Sequence, residues 1–368
     1  MTTRKRLVVG CMTGTSLDGL DAALVEIDGF GLGMTPRFVR GLSRPLGSTG
    51  PALRRIAQQT PMPAGDIART ALELGELHAL AVAELLSGAR CDLICVHGQT
   101  VFHQPPVSWQ LINVFPIVRT LAAPVVFDLR QADLVAGGQG APITPIADAI
   151  WLRAVRVPWA VINLGGFCNV TLGGGGGGSV GSHLGAIRAS DVCACNQLLD
   201  CVAREALGCP FDDRGSHALR GTVNPAALAD LARLLGDQQH AGRSLGTGDE
   251  AGHWVRSHRA SLSGPDLAAT ACEGIAARII ESVRGASELY LAGGGEHNHA
   301  LVAAISRLAA GASGASVVPL ASLGLPGAFR EAAHFAVLGA LCQDRVPITL
   351  PAVTGVRVAP ISGAWVMP

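Results

Sequence analysis

The sequence predicts an α/β protein, and three observations lead there. Short apolar runs of strand-like composition alternate with longer segments of helical spacing. Glycine-bearing turns recur at the ends of the strand-like runs. The chain has 368 residues, 49% hydrophobic, enough for two cored domains rather than one.

The elements follow in order. "LVVGCM" and "AALVEI" read as adjacent strands. Residues 66–87 place Ile67, Leu74, Leu77, Val82 and Leu85 on helical spacing, with Asp66 as the expected N-cap. Short buried strands are expected at "DLICVHG" and at "PVVFDLR", the latter set off by Pro124, and "WAVINLGG" opens the second half as another. "GPDLAATACEGIAARIIESV" reads as a helix with Asp266 in its first turn. "ELYLAGGG" is a strand feeding a helix through "HNHALVAAISRLAA". The glycine run 173–178 has neither a lysine nor a helix start behind it, so a hairpin tip between "FCNVTL" and "AIRASD" accounts for it better than a phosphate loop.

Composition removes several function classes. Twenty-eight basic residues balance 28 acidic ones and no basic run stands out, which argues against nucleic acid as a partner. Aromatic content of 4% leaves few platforms for stacking bases. No apolar stretch approaches the roughly 20 residues of a membrane span, and the N-terminal apolar run is too short for a secretion signal. A soluble, cytoplasmic protein is expected. The ten cysteines are scattered, mostly among apolar neighbours. Cys193 and Cys195 form a C-x-C without a second pair at metal-site spacing, so buried thiols are expected there rather than a metal.

"GTSLDG" is chemically richer than a hairpin requires. Gly14, Thr15, Ser16, Asp18, Gly19 and Asp21 bring two hydroxyls and two carboxylates to one bend. Such a set suits anionic oxygens and a hydrated divalent ion; a capped hairpin with Asx and Ser/Thr turns is the plainer alternative. "NLGGFCN" repeats the glycine turn in the second half, and residues 293–295 give a third before a helix. Two such turns facing a shared cleft would clamp phosphates through backbone N–H groups.

"GTSLDGLDAAL", "VHGQTVFHQP", "DLRQADLVAGGQGAPITP", "INLGGFCNVT", "LAGGGEHN", "EAAHFAVL" and "LPAVTGVRV" run in order from Gly14 to the C-terminal region. Together they closely resemble the anhydro-N-acetylmuramic acid kinase family, within the sugar kinase, heat-shock ATPase and actin fold group. The resemblance implies two ribonuclease-H-like (actin-like ATPase) domains around a central nucleotide cleft. Residues 1–131 with a returning 343–368 would form the first, and 132–342 the second. It also implies use of ATP and Mg2+ in cell-wall recycling, an anhydrosugar as partner, and a homodimer. In the implied reaction water attacks the anomeric carbon while the released primary oxygen takes the γ-phosphoryl group.

Carried over residue by residue, the resemblance makes Asp191 the catalytic base. Gly14, Thr15, Ser16, Leu17, Asp18, Gly19, Leu20 and Asp21 would form the first phosphate loop, with Asp18 or Asp21 facing hydrated magnesium. Gly165, Gly166 and Asn169 would be the second phosphate contact, with Gly293, Gly294, Gly295 and Asn298 near the nucleoside. A plain strand-to-helix turn would also explain those last glycines. His97, Gln99, Arg130, Asn196 and Glu331 would meet the sugar. Arg130 would take the lactyl carboxylate in a bidentate fork; a pairing with Asp128 that pins the strand end is the alternative. Gln139 and Gly140 would line the cleft or hinge.

One motif departs from the family. The Asp-Thr-Gly-Pro-x-Asn string reads "DVCACN" here, Asp191 to Asn196. Aspartate and asparagine remain, but Cys193 replaces the glycine, and a left-handed backbone there would cost about 1–2 kcal/mol. Unaltered chemistry, another anhydrosugar such as levoglucosan, and binding without turnover all fit that change. The retained Asp191 favours a kinase. Residues 243–250 follow the family only partly and are assigned no role.

Overall fold

The computed structural model describes residues 5–14, 17, 19–175, 180–240, 245, 249, 251–312 and 314–368. Its first sheet begins with β1 (Lys5–Thr13), β2 (Gly19–Asp28) and β3 (Thr35–Pro45), an antiparallel meander. β4 (Leu93–Gln104) then pairs parallel with β1; β5 (Val107–Leu111) folds back on β4, and β6 (Val125–Phe127) runs parallel to it. The second sheet repeats the scheme. β7 (Trp159–Leu164), β8 (Phe167–Gly173) and β9 (Arg188–Ala194) form the meander. β10 (Glu288–Ala292) lies parallel to β7, and β11 (Ser316–Pro319) parallel to β10. The order β3-β2-β1-β4-β6 thus recurs as β9-β8-β7-β10-β11. The chain holds the two ribonuclease-H-like sheets that the family resemblance implies. The C-terminal β12 (Ala364–Val366) closes the first sheet's edge, antiparallel to β6.

Strands buried on both faces explain the continuous apolar runs. Val9 and Cys11 point toward the helices Ala64–Leu86 and Phe115–Leu121 in one core, while Val8 enters another. That second core is shared by the two sheets: Val8, Val25, Val161, Tyr290, Ile146 and Phe335 all belong to it. The outer face of the second sheet packs through Ile162 and Val170 on Leu231, Ile275 and Leu301. Those three side chains come from the helices Pro225–His240, Gly264–Ser282 and His299–Ala312.

The helix Arg330–Gln343 lies against β1, β2 and β4, although the sequence reading groups residues 132–342 with the second sheet. Small residues let it approach. A Cβ on Gly10 would stand 2.0 Å from the Ala332 carbonyl oxygen, and one on Gly339 would stand 2.6 Å from Cys95 Cβ.

Some local expectations change. The helix Ala64–Leu86 starts at Pro63, which cannot continue a hydrogen-bonded turn backwards, so Asp66 falls in the first turn instead of at the N-cap. Ser263 caps the Gly264–Ser282 helix by accepting from Asp266 N–H at 3.2 Å, and Asp266 lies in the first turn as expected. Between β8 and β9 the chain carries a short helix, Val180–His183, so the connection is more than a hairpin tip; glycines 176–178 lie outside the described residues. Cys193 sits inside β9, and the left-handed backbone considered for it does not occur. No helix among the described residues is long and apolar enough to cross a membrane.

Candidate active site

The first bend leaves β1 at Thr13, whose hydroxyl donates to Gly98 O at 2.8 Å. Leu17 N–H closes a turn on Gly14 O at 3.1 Å, and Leu17 itself has φ of 59°. A left-handed leucine costs about 1–2 kcal/mol. Its side chain is buried among Leu46, Leu53, Ile56 and Leu74, which returns roughly 1.5–3 kcal/mol and holds the bend. Gln99, fully buried, donates to Gly14 O at 3.3 Å and to Thr100 O at 3.2 Å, while its Oε1 has no partner among the described residues. Gln99 therefore shapes the loop. Leu20 is core, fully buried, and Gly19 pairs with Pro45 at the start of β2. Asp21 accepts from the Ser43 hydroxyl at 2.5 Å. Thr15, Ser16 and Asp18 lie outside the described residues.

A second group gathers between the middle of β4 and the chain just past β6. Arg130 donates through Nε and Nη2 to His97 Nε2, at 3.1 and 3.0 Å, and through Nη1 to Gly140 O at 2.8 Å. Its fork is thus turned toward His97, and it makes no bond to Asp128. Burial pushes the guanidinium pKa down to about 10, and nearby Glu331 opposes that shift. Burial also raises the Glu331 carboxyl, with Arg330 and Arg130 pulling it back and Asp21 adding to the rise. Asp21, Arg130 and Glu331 therefore share one electrostatic neighbourhood. Glu331 is held in place through Arg330, whose Nε donates to Asp148 at 2.9 Å in an ion pair buried on both sides.

The second sheet supplies a polar row. Asn163 pairs with Asn169 across β7 and β8, and Asn169 with Asp191 across β8 and β9. Two strand spacings make the row roughly 10 Å long. Alternation puts it on the face opposite Ile162, Cys168 and Val192, which fill the outer core. Asp191 Oδ2 accepts from Leu245 N–H at 2.9 Å. Burial raises its pKa most, Asp249 adds to the rise, and the Leu245 bond opposes it.

The glycine turns lie at the other end of this row. Gly165 and Gly166 carbonyls accept from Asn196 and Cys195 N–H at 3.1 and 3.0 Å, fixing the start of the helix Asn196–Val202. Asn196 donates its amide to Leu164 O at 2.9 Å. A Cβ on Gly295 would stand 2.7 Å from Leu164 Cβ and 3.0 Å from Asn196 Oδ1, so the two turns touch. Gly293 has φ of 84°, and a Cβ there would stand 2.8 Å from Asn163 Oδ1. Gly294 continues this bend. Asn298 caps the next helix, accepting from Leu301 N–H at 3.0 Å. The Glu296 carboxylate lies against Gly327, three residues before the Arg330–Gln343 helix, and so joins this turn to the Arg130–Glu331 group.

Asn163 is one residue that sequence reasoning passed over. It is 9% exposed, and its carboxamide has no hydrogen bond among the described residues. A polar residue interrupting "WAVINL" was the available signal. Asp133 was missed too. It accepts from Gly140 N–H and the Thr354 hydroxyl, at 2.8 and 2.9 Å, and so orders the glycine-rich crossing. Cys193 and Cys195 are buried free thiols, and no three metal-ligating side chains cluster among the described residues.

The family model for anhydro-N-acetylmuramic acid kinase matches residues 6–368. A protein of that name from Rhizorhabdus wittichii is 34% identical over 98% of this chain and 98% of its own length. One from Gloeobacter violaceus is 36% identical over 96% and 97%, and one from Salinibacter ruber 32% over 99% and 97%. The class follows first: this is an enzyme, a phosphotransferase that acts on a sugar. With a match across nearly its whole length, the chain belongs to the anhydro-N-acetylmuramic acid kinase family.

Proposed function

We propose that the protein uses ATP and Mg2+ to open the internal ether bridge of anhydro-N-acetylmuramic acid in the cytoplasm, during cell-wall recycling. Water adds at the anomeric carbon, its proton passes to Asp191, the bridge C–O bond breaks, and the released primary oxygen takes the γ-phosphoryl group of ATP, whose β–γ anhydride bond breaks to leave ADP. The observation that carries this reading is Asp191 itself. Leu245 N–H occupies one carboxylate oxygen, and burial raises the basicity of the group, as a general base near neutral pH requires.

Gly14, Gly165 and Gly166 are the proposed phosphate contacts, with Asn163 and Asn169 beside them and the 293–295 bend toward the nucleoside. Bound ATP would supply the phosphoryl group, and magnesium would neutralise charge on the phosphate oxygens. Asp21 fits a hydrated magnesium, which needs only one or two carboxylates. Its repulsion of Glu331 would be relieved by a cation there. Arg130 is proposed to meet the lactyl carboxylate and Glu331 a sugar hydroxyl. Gln99, Asn196 and Asn298, bonded to backbone, support the site from behind. We draw the moving lobes so that residues 330–343 and 364–366 travel with the first sheet.

Mass spectrometry of protein incubated with ATP, magnesium and the anhydrosugar tests this directly. The expected product is the opened, phosphorylated sugar acid. No product at high enzyme concentration overturns the reading. Product from levoglucosan alone would reassign the substrate, and nucleotide or sugar binding without transfer would make the protein a noncatalytic binder.

A further inference from the structure

The partners of His97 decide its chemistry without reference to any ligand. Its Nδ1 lies 2.8 Å from Gly98 O, an oxygen that can only accept. Its Nε2 faces Nε and Nη2 of Arg130, which can only donate. Both conditions are met by one form alone, the neutral ring with the proton on Nδ1. The ring is 4% exposed and lies against Phe335, with centroids 4.8 Å apart. Burial and the Arg130 charge both hold its pKa well below the ordinary histidine value.

Arg130 has five N–H donors in a rigid fork. Three are consumed: Nε and one on Nη2 by His97, and one on Nη1 by Gly140 O. The two that remain lie one on each terminal nitrogen, Nη1 and Nη2. Gly140 is fixed in turn, because its N–H donates to Asp133 Oδ2 and Asp133 Oδ1 accepts from Thr354.

We propose that His97 is a positioning residue: it does not touch the sugar but clamps Arg130 from behind so that only its two terminal nitrogens are offered to a carboxylate-bearing substrate. The clamp is completed through Gly140, Asp133 and Thr354. The orientation half of this inference rests on the function proposed above; the tautomer half does not.

Two measurements test it. In the ligand-free protein, side-chain 15N spectra should show His97 protonated on Nδ1 and bare on Nε2 across pH 6–8. A protonated Nε2 would overturn the clamp whatever the substrate is. In kinetics, His97→Phe removes the acceptor and should raise KM for the anhydrosugar acid by roughly ten- to a hundredfold, the scale of one hydrogen bond to a charged group. The KM for ATP should stay within about twofold. His97→Gln, which can place a carbonyl oxygen near the Nε2 position, should recover most of the loss. Unchanged sugar KM in His97→Phe, or equal damage to the ATP KM, would overturn the positioning role. If the wild-type protein neither binds nor turns over the sugar, the functional proposal fails while the spectra still decide the clamp.

Discussion

At the scale of single residues, charge state separates Asp191 from His97. A base must be deprotonated, and burial raises the Asp191 pKa. The acidic limb of kcat/KM should therefore lie above the ordinary aspartate value of about 3.9, with activity rising as pH climbs through it. A pH–rate profile checks this; a limb at or below that value would separate Asp191 from the rate. Asn163 offers a second test. Replacing it with Leu should weaken ATP and ADP binding about tenfold or more, while adenosine binding is unaffected, as calorimetry would show. Residue types were readable in the sequence where a motif carried them, as for Asp191 and the glycines. The job of His97 was not, because its partner Arg130 arrives 33 residues later from another strand end. Asn163 was hidden for the opposite reason. One polar residue just before a glycine pair reads as part of the turn until its lack of a partner among the described residues is seen.

At the scale of elements, the Arg330–Gln343 helix matters most, because it carries Glu331 on one face and fills the shared core with others. Gly10→Val would drive a side chain into the Ala332 carbonyl and Ala336 N. The expected result is a stability loss of about 1–3 kcal/mol or more, seen in denaturant unfolding, with a raised KM for the sugar. Arg330→Met leaves Asp148 buried with only His334, 3.4 Å away, and should cost about 3–5 kcal/mol. The strands were legible because β-branched apolar runs bounded by glycine have few other uses. The sheet beneath this helix was not legible. "EAAHFAVLGALC" is apolar nearly all round, which announces burial between layers without naming the layers.

At the scale of the whole molecule, the duplicated sheets share one core, so closure on a ligand has to turn about packed side chains such as Val161, Tyr290 and Phe335. Small-angle scattering should show a modest contraction with ATP analogue and sugar together; an unchanged profile would exclude closure. Acid should also loosen the fold. The imidazoles of His78 and His334 are held neutral by burial, at pKa values of about 4 and about 3. In the unfolded chain they take up protons below roughly 6.5, so stability is lost as pH falls from there toward those values. Thermal melts from pH 7 to 4 should decline accordingly, and less steeply in His334→Phe.

The central claim is that one carboxylate couples water attack to phosphoryl transfer. The most direct measurement compares the product masses made by the wild type and by Asp191→Asn, alongside their ATP affinities. The wild-type product should have gained one water and one phosphoryl group, while the variant holds ATP equally well and makes neither change. A variant that turns over at the wild-type rate, or a wild-type product that is phosphorylated with its bridge intact, would contradict the account.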